Sequence, residues 1–263
     1  MKNKLPVRFT GQHFTINHKL IAEAINLANI GKLDTVLDIG AGKGYIASKL
    51  VNLCKLVLAI ENDIRLIHIL NKSLSSFTSV KIVHSDFMKY RIPRKPFKVV
   101  SNIPFNISSM TLKKLMYQNL DNFYGGTLII PSTCANKLFR SRISNPDIIF
   151  YHTFYDIELI QDIHPSSFFP PPTITSSLIK IEKKPKSTIH HQKYLSFLRF
   201  MLKYPDKNTR TVLKKIFRKN QAGSFTMKYD ISLDIPISFL HISQWDIIFN
   251  EMLNLVPERF HPT

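Results

Sequence analysis

The chain has 263 residues, enough for one substantial domain and a smaller second one. Hydrophobic residues make up 44% and charged residues 21%, a balance that excludes both a disordered chain and a membrane-embedded one. Lys and Arg number 36 against 18 Asp and Glu, and the excess recurs in both parts of the chain, with 22 basic and 11 acidic residues before Ile181 and 14 and 7 from there on, which points to a polyanionic partner.

Taken in chain order, short β-branched runs alternate with helical spacing. Thr35–Gly40, Leu56–Asn62, Lys81–Asp86, Phe97–Asn102 and Gly126–Ser132 read as buried strands. Lys43–Leu53, Asp63–Ser75, Ile107–Leu120 and Thr133–Arg140 read as the helices around them. Such alternation implies right-handed crossovers and a mainly parallel sheet. Phe150–Ile163 and Ile174–Glu182 are two more strand-like runs, joined by a proline-rich loop and expected to pair antiparallel at a sheet edge. Lys183-Lys184-Pro185-Lys186-Ser187-Thr188 reads as a linker. Beyond it the strand runs stop, and Tyr194–Lys203, Thr209–Lys219 and Ser243–Leu255 have helical spacing, with Ser243 as an N-cap. The expected organisation is an α/β domain over residues 1–183 and a small helical domain over 184–263.

The first strand ends in Asp38-Ile39-Gly40-Ala41-Gly42-Lys43-Gly44, a glycine-rich turn entering a helix. Glycines there let the backbone approach a ligand without a Cβ in the way. Glu61 closes the next strand, where a carboxylate can accept from both ribose hydroxyls of an adenosine. Asp86-Phe87 closes the third, where a carboxylate can bond an adenine amine and a ring can flank its face. Each has a plainer reading: a nicotinamide cofactor for the turn, a helix N-terminal carboxylate for Glu61, a turn cap for Asp86. All three lie at successive strand C-termini, the side on which open α/β sheets bind ligands. Together with the next motif they favour S-adenosylmethionine.

That motif is Val99-Val100-Ser101-Asn102-Ile103-Pro104-Phe105. An apolar strand opens onto an amide, a rigid proline and an aromatic ring. The exocyclic amine of adenine is a poor nucleophile because its lone pair is delocalised into the ring. An acceptor pair, the Asn102 oxygen and a neighbouring backbone carbonyl, would localise that lone pair for methyl transfer. Phe105 would stack on a base that has left its helix. No general base is needed, and positioning with electrostatics supplies most of the rate. The plainer reading is a strand-ending turn with Phe105 in the core. Phe168, in Ser167-Phe168-Phe169-Pro170-Pro171-Pro172, is a second aromatic candidate for the other face of the base, or else a ring packed inward.

Arg210, Lys214, Lys215 and Arg218 are expected on one helix as a phosphate-contacting stripe, with Lys219 beside them and Lys2, Lys4 and Arg8 as an N-terminal arm. Cys54 and Cys134 lack metal-ligand spacing and read as packed thiols in a reducing compartment, and no metal site is expected. No apolar run has signal-peptide or membrane-span length, so a cytoplasmic chain without a membrane partner is expected.

With these residues in hand, the chain resembles the Erm family of rRNA adenine N6-methyltransferases, and in particular the branch found in Bacteroides and relatives. The resemblance runs from Arg8-Phe9-Thr10-Gly11-Gln12-His13-Phe14-Thr15 to Val256-Pro257-Glu258-Arg259-Phe260-His261-Pro262, with Phe97–Pro104 and Ile216–Gln221 as specific matches between. It implies a Rossmann-like class I S-adenosylmethionine-dependent methyltransferase fold with a small C-terminal all-helical domain. It places His13, Thr15, Asp38, Gly40, Gly42, Glu61, Asp86, Phe87 and Asn102 against the cofactor. The implied substrate is one adenosine of the peptidyl-transferase loop of 23S rRNA, mono- or dimethylated, which blocks macrolide, lincosamide and streptogramin B binding. The implied enzyme is a monomer that needs no protein partner. Two positions depart from the family: Phe105 stands where it has tyrosine, and Ile129–Thr133 replaces a segment that usually carries Gln or Glu. The rival readings are a small-subunit rRNA dimethyladenosine transferase and a non-catalytic RNA-binding factor on the same fold.

Overall fold

The computed structural model describes residues 13–185 and 189–263. Lys2, Lys4, Arg8 and the rest of the N-terminal motif up to Gln12 lie outside the described residues, as do Lys186, Ser187 and Thr188 of the linker. β1 (Phe14–Thr15) and α1 (His18–Leu27) lead into β2 (Thr35–Ile39), the single turn α2 (Ala47–Leu50), β3 (Leu56–Glu61) and α3 (Ile64–Leu74). Then come β4 (Val80–His84), β5 (Phe97–Asn102), α4 (Ser108–Lys113), β6 (Phe123–Pro131) and α5 (Ser132–Leu138). After α6 (Pro146–Phe154) follow β7 (Tyr155–Ile163), β8 (Phe168–Phe169) and β9 (Ser176–Lys183).

Seven of these strands form one sheet in the order β4-β3-β2-β5-β6-β9-β7, and β1 pairs with β8 in a separate ribbon. β2 pairs parallel with β3 on one side and β5 on the other, so the chain reverses direction of travel across the sheet between them. Strand C-termini diverge at such a switch point and leave a crevice. The pairing thins there too. The β2–β5 register ends at Leu37–Val99. Beyond it the Ser101 hydroxyl replaces the ladder, accepting from Ile39 N at 3.0 Å and donating to Ile39 O at 2.6 Å.

Several elements differ from their expected form. The helix expected over Lys43–Leu53 is the four-residue α2, because Gly42 and Gly44 hold left-handed backbone before it. The helix expected over Ile107–Leu120 passes from a 3-10 turn through α4 into a π-helical turn, Lys114–Gln118. Phe150–Phe154 is helix rather than strand. Asn145 caps it by accepting from Asp147 N at 3.0 Å, and Pro146 occupies the first turn, where its missing N–H costs nothing. The expected pairing of the last two strands at one sheet edge does hold: β7 is the edge strand and β9 its neighbour, itself antiparallel to β6.

Packing divides the chain into two units, one running up to Asn136 and including Ile157–Lys183, the other made of Lys137–Asp156 and Lys184–Thr263. This differs from the expected 1–183 and 184–263 by the α6 segment. The reason is aromatic: the Phe150 and Phe154 rings lie 4.7 Å apart, tilted by 46°, and Phe154 meets Tyr194 edge-on at 6.3 Å. Tyr194 belongs to α7 (His191–Met201), which is followed by α8 (Thr209–Leu213), α9 (Lys219–Lys228) and α10 (Ile242–Leu255). The single helix expected over Thr209–Lys219 is thus broken. The chain turns after Leu213 to bury Phe217, whose ring lies 4.8 Å from Phe225 of α9. The N-cap of α10 is His241, not Ser243: its ring accepts from Ser243 N at 3.4 Å while Gln244 accepts from His241 N at 3.0 Å.

Candidate active site

Two adjoining hollows open at the C-terminal ends of β2, β3, β4 and β5, sharing Gly40, Glu61 and Pro104. His13, Thr15, Asp38, Gly42, Asn102 and Phe105 line the first. Asp86, Phe87, Met88, Ile107 and Met110 line the second, of about 380 Å³. The structure therefore brings together every expected cofactor residue from β2 to β5. The glycines set the floor. Gly40 has φ +70° and Gly42 φ +61°, and an added Cβ would lie 2.7 Å from Pro104 Cγ or 2.8 Å from Phe14 Cε1 respectively. Any side chain there would push the Asn102–Phe105 turn or Phe14 out of place.

Asp38 is buried, and its Oδ2 accepts from Ala47 N at 3.1 Å, which starts α2. Burial raises its pKa to about 7, with the nearby Glu61 charge adding to the effect. Glu61 is buried as well. Its Oε2 accepts from Gly42 N at 2.9 Å, and Oε1 accepts from Asn62 N at 2.8 Å and Asp63 N at 2.9 Å. These bonds hold the carboxylate at the border of both hollows. Asp86 Oδ1 accepts from Met88 N at 2.8 Å. Both of the plainer readings describe real bonds: Glu61 holds the start of α3 and Asp86 caps its turn. Both carboxylates still border the hollows.

Asn102 ends β5 with its amide divided between two surroundings. Nδ2 donates to the backbone carbonyl of His13 at 2.7 Å. A carbonyl only accepts, so this bond fixes which end of the amide is which. Oδ1 is buried and has no hydrogen-bond partner among the described residues, and Asn102 itself lines the hollow. Thr15, which lines the same hollow, also has its Oγ1 buried and without a partner among the described residues. A buried acceptor of this kind costs about 1–3 kcal/mol unless a donor arrives. The half-buried Phe105 ring lies 5.2 Å from the His13 ring, tilted by 39°. His13 Nδ1 is 2.8 Å from Pro170 O, so that nitrogen carries the proton.

Phe168 does not join this group. Its ring is 2% exposed and packs in the core cluster with Leu20, Ile21 and Leu178. The β1–β8 register explains why. Thr15 faces Phe168 and Phe14 faces Phe169, so the two phenylalanines project to opposite faces. Phe169, on the face of the hollow-lining Phe14, is 58% exposed and is the accessible ring of that loop.

The basic stripe is also rearranged. Arg210 lies on α8 and pairs with Asp234 at 3.1 Å, while Lys214 closes that helix. Lys215 sits 3.7 Å over the Tyr204 ring, and Arg218 precedes α9 with its N–H on Gln221 Oε1 at 2.9 Å. Arg210 is on α8, and Lys214, Lys215 and Arg218 lie on the turn between α8 and α9, so the four do not share one helical face. Sequence reasoning placed Ser101 and Phe169 inside its two motifs without giving either a role of its own. A serine before the asparagine of a strand end and the second ring of a Phe-Phe pair were the only signals.

The family model described as Ribosomal RNA adenine dimethylase matches residues 4–254. The chain belongs to that family. It is 47% identical to an rRNA adenine N-6-methyltransferase of Bacteroides fragilis, with all of this chain and 99% of that protein covered. Among solved structures it resembles the 23S rRNA methyltransferase ErmE, with a TM-score of 0.81 at 19% identity over 91% of this chain and 99% of that one. It also resembles a dimethyladenosine transferase from Plasmodium falciparum, with a TM-score of 0.78 at 20% identity over 92% and 98%. At these identities the two structures show the fold alone, which is the Rossmann-like methyltransferase fold expected from sequence. Among the described residues of this family member, no helix is long and apolar enough to cross a membrane.

Proposed function

We propose that the chain transfers a methyl group from S-adenosylmethionine to N6 of an adenosine in 23S rRNA. The observation that carries this reading is the Oδ1 of Asn102 at the end of β5, buried and without a partner among the described residues. It is an acceptor held ready for a donor, and an exocyclic amine is the donor that methyl transfer requires. S-adenosylmethionine supplies, when bound, a methyl group on an electrophilic sulfonium. The Gly40–Gly42 turn, the Glu61 carboxylate that borders both hollows, and the Asp86–Phe87 turn would hold it, and the donor set fits: carboxylates for hydroxyls and amine, an apolar ring for the base.

In this scheme Asn102 draws the target amine toward tetrahedral geometry, so that its lone pair faces the methyl carbon. The His13 carbonyl keeps the amide in the orientation that does so. Phe105 stacks on the flipped base; a phenolic hydroxyl is not needed for that. After transfer the N6 proton leaves to water, and the same geometry can serve a second round on the monomethylated base. Phe169, rather than Phe168, is the ring available to a neighbouring base. Arg210, Lys214, Lys215 and Arg218 would contact RNA phosphates, acting in a cytoplasmic monomer.

The 47% identity to the Bacteroides fragilis enzyme supports the activity. The choice of the large-subunit target, and with it macrolide, lincosamide and streptogramin B resistance, rests on the resemblance of Ile216–Gln221 and Val256–Pro262 to Erm sequences. The test is methyl transfer to protein-free large- and small-subunit rRNA, with the modified base mapped. The proposal expects N6-methyladenosine at one site of 23S rRNA. Modification of small-subunit rRNA instead would replace the target, and cofactor binding without transfer to either RNA would leave a binding factor.

A further inference from the structure

Lys114 stands on the π-helical turn that continues α4, the helix leaving the Asn102–Phe105 motif. Its side chain is buried, yet it forms no ion pair closer than 4 Å among the described residues. Nζ instead donates to three backbone carbonyls of one loop: Phe87 O at 2.5 Å, Tyr90 O at 2.7 Å and Met88 O at 2.9 Å. An ammonium has three N–H groups, and each has an acceptor. The same nitrogen lies 4.8 Å from the centroid of the Phe87 ring. Burial lowers the Lys114 pKa, and the Asp86 charge opposes that. Three carbonyl dipoles are the environment a desolvated ammonium needs to keep its charge.

The loop so gripped begins at Asp86, Phe87 and Met88, one wall of the second hollow. Ile107 and Met110, on the segment leading to Lys114, form another wall. One side chain thus ties two walls of one hollow together. No other hydrogen bond holds the Phe87, Met88 or Tyr90 carbonyls among those described. We infer that Lys114 is a positioning residue for the cofactor: it holds the Phe87–Tyr90 loop against the helix after the catalytic motif, and so shapes the hollow that takes the adenine end of S-adenosylmethionine. This rests on the cofactor reading above.

The test is Lys114→Met, which keeps the length and apolar stem and removes all three donors. Calorimetric titration of the protein with S-adenosylmethionine, and steady-state methylation of rRNA, are measured for both forms. Kd and KM for S-adenosylmethionine are expected to rise about tenfold, as follows if the loop holds its competent shape only about a tenth of the time. RNA affinity, and kcat at saturating cofactor, are expected to stay within about threefold. Lys114→Arg is expected to fall short of the parent, since a planar guanidinium cannot point at three carbonyls as a tripod does. A lower melting temperature with unchanged cofactor Kd would overturn the assignment and leave Lys114 a residue of fold stability only. If the Met form does not fold, Lys114→Gln, with two donors kept, is read the same way; failure of both to fold overturns the assignment too. Parent protein that binds no S-adenosylmethionine would overturn the cofactor reading instead.

Discussion

In the second unit, three helices meet at a buried polar cluster in which every member has a partner. Asp246 Oδ1 accepts from Tyr194 Oη at 2.5 Å and from Thr153 Oγ1 at 3.1 Å, and the two hydroxyls lie 3.0 Å apart. Burial, then the Asp246 charge, hold the Tyr194 hydroxyl well above the usual phenol range, so it remains a donor. In the first unit, the cluster at the end of β5 is left incomplete among the described residues: Asn102 uses its amide nitrogen, and its oxygen has no partner there. A completed network fastens α6, α7 and α10, whereas an incomplete one is a cost the fold carries for a ligand. Polarity and burial alone do not separate the two. The presence or absence of the last partner does.

That contrast can be broken at either end, and Asn102 is where the effect should be largest. Asn102→Ala is expected to lower methyl transfer by about 100-fold or more while leaving the unfolding transition nearly in place. Activity within a few-fold of the parent would remove Asn102 from the chemistry. Asp246→Ala should do the opposite. It removes the acceptor that the two hydroxyls share, leaving them each other and the Ile149 carbonyl, and is expected to cost about 1–2 kcal/mol of stability in urea titration, with transfer by the folded protein unchanged. If stability hardly moves, the network is decoration on an apolar core.

Phe105 sharpens the site end. Phe105→Ala is expected to lose about 1–3 kcal/mol of transition-state binding in kcat/KM, and Phe105→Tyr close to none, because ring area is at stake. Equal activity of the Ala form would make Phe105 a packing residue. Asp38 gives a pH signature. Its carboxyl ionises near 7 in the fold and at 3.8 ordinarily, so between about pH 4 and 7 the folded chain holds a proton that the unfolded chain has lost. This contribution to stability therefore falls as pH rises, by at most about 1.4 kcal/mol per pH unit, and levels off above 7. Denaturation across that range should show a shallower decline in Asp38→Asn than in the parent. The smallest effect is expected from Arg210, Lys214 and Lys215 neutralised together. RNA binding should weaken, and each phosphate left without its cation should flatten the log–log salt slope by about 0.7–0.9, with the methylated base unchanged. Parallel slopes of equal affinity would show a merely solvated surface.

The parallel core was legible because its strands are buried on both faces and so read as continuous apolar runs, Val57–Ile60 and Leu128–Ile130 among them. Periodicity and the residues at strand ends sufficed to place Gly40, Glu61, Asp86 and Asn102 on one side of a sheet. What sequence could not supply was anything depending on a partner far along the chain. Phe150–Phe154 is apolar enough for a strand and became helix through a cap at Asn145 and a seat against Tyr194. Phe168 and Phe169 are adjacent and chemically equal; only pairing with Phe14–Thr15 sends one inward and leaves the other exposed. Lys114 looks like any helix-surface lysine until the fold sets three carbonyls around it. Local sequence dictates which backbone shape and which chemistry a segment offers. Whether a given oxygen is satisfied, a ring buried or a cation gripped depends on neighbours that only the tertiary structure brings within hydrogen-bonding reach.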